Sequence, residues 1–230
     1  MAAETGSDKT LPEGCRWDDL VSTPEAQQFA FYKRQLERLS VDTTGRIREI
    51  FSDADTCLTN PEHLPLLISG FKRINWYAAR EEAVLADVYE GLLEKNSTES
   101  KAGAGQYFTP RAVIECMVEL MKPALGEIIQ DPACGTAGFL ITADRYMRRV
   151  HKSYKQLSKA EIDFQECKAL IGVELVPKTH RLALMNAMLH GIRSPIIAGD
   201  ALGEAGLALK PANLILTNPP FGTRVCSQYV

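Results

Sequence analysis

Apolar positions along this chain change their rhythm near residue 100. Before that point they recur at helical spacing. Thr23-Pro24 pairs a capping side chain with a proline suited to a first turn, and Phe29, Leu36 and Leu39 follow on one face. Asn60-Pro61 makes a second start, leading into Leu64, Leu67, Ile68 and Phe71. A third helix is predicted over 80–95, with Val84, Leu85, Val88, Leu92 and Leu93 in period. Residues 96–105 are rich in Ser, Gly and Ala and read as a linker. The predicted organisation is a disordered leader at 1–13, a helical domain at 14–95, the linker at 96–105 and a second domain at 106–230.

In that second domain short apolar runs alternate with helical segments. The runs cover 127–130, 169–173, 194–198 and 213–217; helices are predicted over 110–121, 138–151 and 178–189. This alternation predicts an α/β fold, a parallel sheet with crossover helices. Ligands of such sheets sit at the carboxyl ends of the strands, so the residues just after each run are the ones to read for chemistry.

The bulk properties narrow the class. Hydrophobic residues make up 45% and charged residues 24%, as in a soluble globular protein. No apolar run is long enough to cross a bilayer, and the polar N-terminus lacks the apolar stretch of a signal peptide. The six cysteines form no C-x-x-C pair and the histidines are scattered, so neither a metal site nor a disulfide framework is indicated, and a cytoplasmic setting is expected. A net charge of −3 argues against a stand-alone nucleic-acid binder, but less against one subunit of a larger assembly.

The run DPACGTAG at 131–138 follows the first predicted strand and opens a helix. Glycines there let the backbone turn tightly and approach a ligand where a side chain would collide. Gly135, Thr136, Ala137 and Gly138 are the candidate contacts; an ordinary strand-to-helix connection is the bland alternative. The second strand ends in Glu174, whose carboxylate is suited to accepting from both ribose hydroxyls of a nucleoside. The third ends in Gly199-Asp200, with Asp200 a candidate acceptor for an adenine amine, or else a turn residue. The order of glycine loop, acid and acid, each at a strand end, carries more weight than any one of them.

The fourth strand runs into Asn218-Pro219-Pro220-Phe221. The prolines remove two backbone donors and leave carbonyl acceptors. The asparagine adds another acceptor, and an aromatic ring follows. Such a pocket suits an exocyclic amine on a planar base. Adenine N6 is a poor nucleophile because its lone pair is delocalised into the ring, and acceptors on its N–H groups favour rehybridisation.

With GQYFTPR at 105–111, the glycine loop, the segment from Gly172 to Ile192 and NPPFG, the chain closely resembles the modification subunits of type I restriction-modification systems, from about Trp17 to Thr223. The resemblance implies a helical N-terminal domain followed by an incomplete doubly wound, Rossmann-like methyltransferase domain. It implies S-adenosylmethionine as cofactor and adenine N6 in double-stranded DNA as acceptor. The partners it implies are a specificity subunit, a restriction subunit and a second modification subunit, with no membrane. It gives Gln106, Tyr107, Phe108, Thr109, Pro110 and Arg111 as a wall on the methionine part of the cofactor. Asn218 and the Pro219 carbonyl receive the target amine, and Phe221 stacks on the base.

Four departures accompany it. Ala137 replaces a frequent glycine, a change tolerable at negative φ. Asn213 stands where Asp is frequent. The family continues well past NPPF, so the chain reads as a fragment or truncated frame in which the fourth strand becomes a sheet edge. Residues 224–230 match nothing expected.

The basic residues Arg145, Arg148, Arg149, Lys152, Lys155 and Lys159 read as a solvated helix face rather than a phosphate stripe, and Cys134 as a packing residue rather than a nucleophile. Two other functions stay open: a methyltransferase acting on protein glutamine, whose amide poses the same chemical problem, and a non-catalytic cofactor- or partner-binding product.

Overall fold

The computed structural model describes residues 11–74, 88–93, 95 and 109–220. Contacts divide the chain into two compact units, Met1–Glu82 and Ala83–Val230. Residues 88–93 and 95 are helical, whereas the remainder of the third predicted helix, the predicted linker, Gln106, Tyr107, Phe108 and Phe221 lie outside the described residues.

The first unit contains α1 (Trp17–Ser22), α2 (Glu25–Val41), α3 (Gly45–Phe51) and α4 (His63–Lys72). Helix α2 begins directly after Pro24, where the Thr-Pro pair places a start. Pro24 is itself the cap position, however, and the Thr23 hydroxyl donates back to the Asp19 carbonyl at 2.8 Å rather than capping α2. Leu20, Leu64 and Ile68 form its core cluster, with Phe29, Phe31, Tyr32 and Leu58 packed against them. The inward face of α2 also carries Gln28 and Gln35, which an apolar pattern does not reveal. Gln35 Nε2 donates to the carbonyls of Gly14 at 2.9 Å and Arg16 at 3.1 Å, so the buried amide keeps its hydrogen bonds.

In the second unit the four predicted strands all form: β1 (Ile129–Asp131), β2 (Leu170–Glu174), β3 (Ile196–Ala198) and β4 (Leu214–Ile215). They pair in parallel in the order β3-β2-β1-β4, with Ile129 opposite both Leu170 and Leu214. The helices are α5 (Arg111–Met121), α6 (Gly138–Val150), α7 (Lys159–Cys167), α8 (Pro177–Leu189) and α9 (Glu204–Leu207), with a 3-10 turn at Lys152–Tyr154. Helix α6 packs on β1 and β2, α7 on β2, and α8 on β2 and β3. Ile129, Leu170 and Val173 are consequently buried, each burial stabilising the fold by roughly 1.5–3 kcal/mol. Among the described residues β4 pairs with β1 alone.

Doubly wound sheets reverse direction where β4 returns to the far side of β1. The crevice outside those two carboxyl ends is where such sheets hold ligands. Here it lies between the loop after Asp131 and the segment after Thr217.

The basic stretch is not one helix. It breaks at His151, and Lys152, Ser153 and Tyr154 take left-handed backbone angles. Its arginines are engaged by acids: Arg145 with Glu90 at 2.9 Å, Arg148 with Asp144 at 2.6 Å, and Arg149 with Glu119. Tyr154 donates to the other oxygen of Asp144 at 2.9 Å under the Arg148 guanidinium. Arg145 and Arg149 tie α6 to Glu90 and to α5, and Arg148 pairs within α6. Arg149, Lys152, Lys155 and Lys159 are exposed, so that part of the stretch is the solvated face expected.

Candidate active site

The loop after β1 is shaped by its first residue. Asp131 is 1% exposed, and its Oδ1 accepts from the Ala133 N–H at 3.1 Å. The chain then turns through Gly135 at φ +55° and Ala137 at φ +68° before α6 starts at Gly138. A methyl group added at Gly135 would meet no atom within 4 Å, so the loop exposes bare backbone to open space.

Ala137 does not meet the condition of negative φ: the residue sits in the left-handed region, which disfavours a side chain by roughly 1–2 kcal/mol. Replacement by glycine relieves that strain, but it removes a fully buried methyl worth about 0.8 kcal/mol and frees the unfolded chain by roughly 0.4–1 kcal/mol. These terms nearly cancel. Ala137→Gly is expected to change stability by less than about 1 kcal/mol. Ala143→Gly, an equally buried methyl inside α6, should cost about 2 kcal/mol. Equal losses in denaturant titrations would contradict the conformational argument.

Glu174 closes the loop from β2. Its Oε2 accepts from the Gly135 N–H at 2.9 Å and its Oε1 from the Val176 N–H at 2.8 Å. Each carboxylate oxygen keeps a second lone pair. β2 comes this close because Gly172 has no side chain: a Cβ there would lie 2.9 Å from Cys134 Sγ and 3.1 Å from Leu140 Cδ1. Cys134 is buried, and burial raises its thiol pKa further, in keeping with packing rather than nucleophilic chemistry.

Asn186 supports the loop from α8 and was not foreseen. It is 1% exposed and its Nδ2 donates to the Thr136 carbonyl at 2.9 Å. A polar residue on the inward face of a helix is its only sequence signal. Asp200, at the end of β3, is exposed and turns its Oδ1 onto the Leu202 N–H at 2.9 Å, the geometry of a turn aspartate.

On the far side of β1, Asn213 Oδ1 accepts from the Ile128 N–H at 2.9 Å, fixing the entry to β4, and an aspartate would serve equally. Beyond β4 the chain reaches Asn218, which is half-buried, then Pro219 and Pro220, which are exposed. Asn218 Nδ2 donates to Thr109 Oγ1 at 3.0 Å. Thr109 thus joins the segment before α5 to the end of β4. The Arg111 side chain instead turns to Glu115 at 2.9 Å and lies 3.7 Å from Glu90, so the chain runs past the crevice there without directing that guanidinium into it.

Asp131 lies between the two halves of this site. Burial pushes its carboxyl up to about 7. The Thr217 hydroxyl and the Ala133 N–H draw it down, and the Glu174 carboxylate raises it. In the unfolded chain the group titrates near its ordinary value of 3.8. The folded state therefore holds the extra proton between about pH 4 and 7, and stability from this group is lost as pH rises through that window. Asp131→Asn, which keeps an acceptor for Ala133, should gain on the wild type across that interval by a few kcal/mol, on the order of 4 at most. Denaturation at pH 4 and pH 8 measures the gap; an unchanged gap would refute the assignment.

The glycine loop, the acid at the second strand end and the NPP segment thus surround one switch point. A family model for N-6 DNA methylases matches residues 80–228. The chain belongs to the N-6 DNA methylase family. Relatives of this chain include the type I restriction enzyme StySPI methylase subunit of Salmonella potsdam, 44% identical over 97% of this chain and 44% of its own length. The EcoKI methylase subunit of Escherichia coli K12 is 43% identical over the same shares. The chain therefore spans a little under half the length of these relatives.

A solved chain of a type I R-M system superposes with a TM-score of 0.75 at 28% identity, covering 96% of this chain and 46% of that one. The EcoKI M protein superposes with a TM-score of 0.50 at 38% identity, covering 96% and 41%. A methyltransferase subunit from Streptococcus thermophilus, 20% identical with a TM-score of 0.73 over 96% and 48%, shares the fold. The expected fold class, an α/β methyltransferase domain after a helical N-terminal region, is the one found.

Proposed function

We propose that this methylase carries the cofactor site and the acceptor motif of a DNA adenine-N6 methyltransferase, the modification subunit of a type I restriction-modification system. The observation that carries the reading is the convergence of Glu174, the loop 135–138 and Asn218 on the β1–β4 crevice.

S-adenosylmethionine fits the residues present. Gly135 leaves room for a close approach, and Glu174 retains lone pairs for two ribose hydroxyls. Gly135, Thr136, Ala137 and Gly138 meet the cofactor through backbone. Gln106, Tyr107, Phe108, Thr109, Pro110 and Arg111 wall its methionine part, Arg111 through its main chain. Asp200 is the acceptor for the adenine amine, by the oxygen that does not bond Leu202. When bound, the cofactor supplies an electrophilic methyl on sulfonium, and no strong base is required of the protein.

What the chain contributes is positioning. Asn218 Oδ1 and the Pro219 carbonyl accept the N–H groups of the target amine and turn its lone pair outward. Pro220 stiffens the segment, and Phe221 stacks on the base. The adenine is flipped from the duplex, which costs a few kcal/mol before stacking and hydrogen bonds offset it. Double-stranded DNA, a specificity subunit that reads sequence, a restriction subunit and a second modification subunit are the partners proposed, in the cytoplasm. No described helix is long and apolar enough to cross a membrane.

The test is transfer of labelled methyl from S-adenosylmethionine by a full-length subunit carrying this chain. Duplex DNA and a glutamine-containing release-factor peptide are offered separately. Label in N6-methyladenine is expected; label in the peptide alone would overturn the reading.

A further inference from the structure

We infer that Thr109 is a positioning residue for the acceptor amide, anchoring the Asn218 side chain through its NH2 end so that Oδ1 is left for the target base. The inference rests on the proposed function and adds to Thr109's place in the cofactor wall a second task, carried by its hydroxyl.

An asparagine amide is nearly symmetric in shape but opposite in chemistry at its two ends: the oxygen accepts and the NH2 group donates twice. A target amine also donates. If the NH2 end of Asn218 faced it, donor would meet donor and the lone pair would not be turned outward. Rotation of the amide by half a turn therefore separates a working pocket from a repelling one. Some group must hold the NH2 end elsewhere.

Thr109 Oγ1 does so. It lies 3.0 Å from Asn218 Nδ2 and accepts from it. The two residues are 109 positions apart in sequence, joined only by the fold. Asn218 has no regular secondary structure around it, since β4 ends at Ile215 and the segment through Pro220 is irregular. Pro219 and Pro220 have no N–H to offer the side chain. Thr109 immediately precedes Pro110 and α5, whose first turn is anchored by the Val113 and Ile114 N–H groups donating to the Pro110 carbonyl. The hydroxyl is thus mounted on a rigid helix start, while the amide it holds is on a less regular segment. With the NH2 end engaged, Oδ1 is the end left for a ligand.

The hydroxyl also explains why threonine rather than valine suits this position. Valine has the same shape and would pack alike, but it would leave the amide free to rotate between its two orientations. Misorientation of an acceptor affects the reacting geometry rather than the affinity for a cofactor bound at the glycine loop.

The experiment uses a full-length methylase subunit carrying this chain, with its specificity subunit. Tritiated S-adenosylmethionine and genomic DNA from a strain without adenine methylation are the substrates. Thr109→Val is expected to slow single-turnover transfer about tenfold at saturating substrates. Cofactor affinity by calorimetry and the KM for DNA should stay within about threefold. Thr109→Ser, which restores the hydroxyl, should return the rate to within about threefold of wild type.

Thr109→Ala removes the same oxygen without a new methyl group and should match Thr109→Val, which keeps the test open if valine disturbs folding. Transfer at the wild-type rate in both hydroxyl-free variants would overturn the inference. So would a loss of cofactor affinity equal to the loss of rate, or a serine variant as slow as valine. Asn218→Ala in the same assay separates the two levels. If it retains transfer, the functional reading fails; if it eliminates transfer while Thr109→Val is fully active, only the present inference fails.

Discussion

Replacing Glu174 with alanine should weaken S-adenosylmethionine binding by two orders of magnitude or more. Two losses combine. The carboxylate no longer accepts from the ribose hydroxyls, and hydrogen bonds to a charged group contribute roughly 1.5–3 kcal/mol each. The loop also loses its tie, because the Gly135 N–H, 2.9 Å from Oε2, and the Val176 N–H, 2.8 Å from Oε1, are left without their acceptor. The two effects are separable. Thermal unfolding of the ligand-free protein reports the second alone, and calorimetric titration reports both. Glu174→Gln should also weaken binding, because an amide has one acceptor oxygen and its NH2 end would face a backbone N–H. Unchanged cofactor affinity in Glu174→Ala would remove this residue from the site and, with it, the reading of the β2 end.

The sheet was legible because buried parallel strands appear as continuous apolar runs, and each of the four runs lies within two residues of a strand. The candidate site could be proposed from sequence for a related reason: chemistry at the carboxyl ends of strands is contiguous in sequence with those runs. Glu174 and Asn218 could be named without coordinates because Glu174 ends β2 and Asn218 lies shortly past β4.

What escaped was what depends on distant partners. Helix α7 carries the Ser158–Glu161 capping box, with both reciprocal bonds formed, yet its weak apolar period hid it. Asn186 and Gln35 are polar residues on buried faces whose NH2 ends donate to carbonyls 50 and 21 positions away, and no local pattern announces such a bond. The arginines of α6 looked like a surface stripe until Glu90, Glu119, Asp144 and Glu166 were brought around them. The left-handed backbone at Ala137 was not legible, because alanine itself favours negative φ. Only the closed loop, with the Ala137 N–H donating to the Cys134 carbonyl at 2.7 Å, imposes the other sign.

The complementary variant is Asn218→Ala, expected to reduce adenine methylation by about a thousandfold while leaving cofactor affinity within about threefold. Loss of a preorganised polar group aimed at the reacting centre costs on the order of 100- to 1000-fold in rate. The upper end is expected here because the amine must be rehybridised before it can attack at all. Cofactor affinity should survive because Asn218 lies beyond β4, whereas the loop and Glu174 lie at the ends of β1 and β2. Its side chain bonds Thr109, not the glycine loop. Asn218→Asp is the informative companion. It keeps the acceptor oxygens and lets the Thr109 hydroxyl reverse its role and donate, so it should retain more transfer than alanine although it introduces a charge. The measurement is single-turnover transfer at saturating cofactor, with calorimetry on the same preparations. A fall in cofactor affinity matching the fall in rate would mean that Asn218 acts on the cofactor rather than on the base.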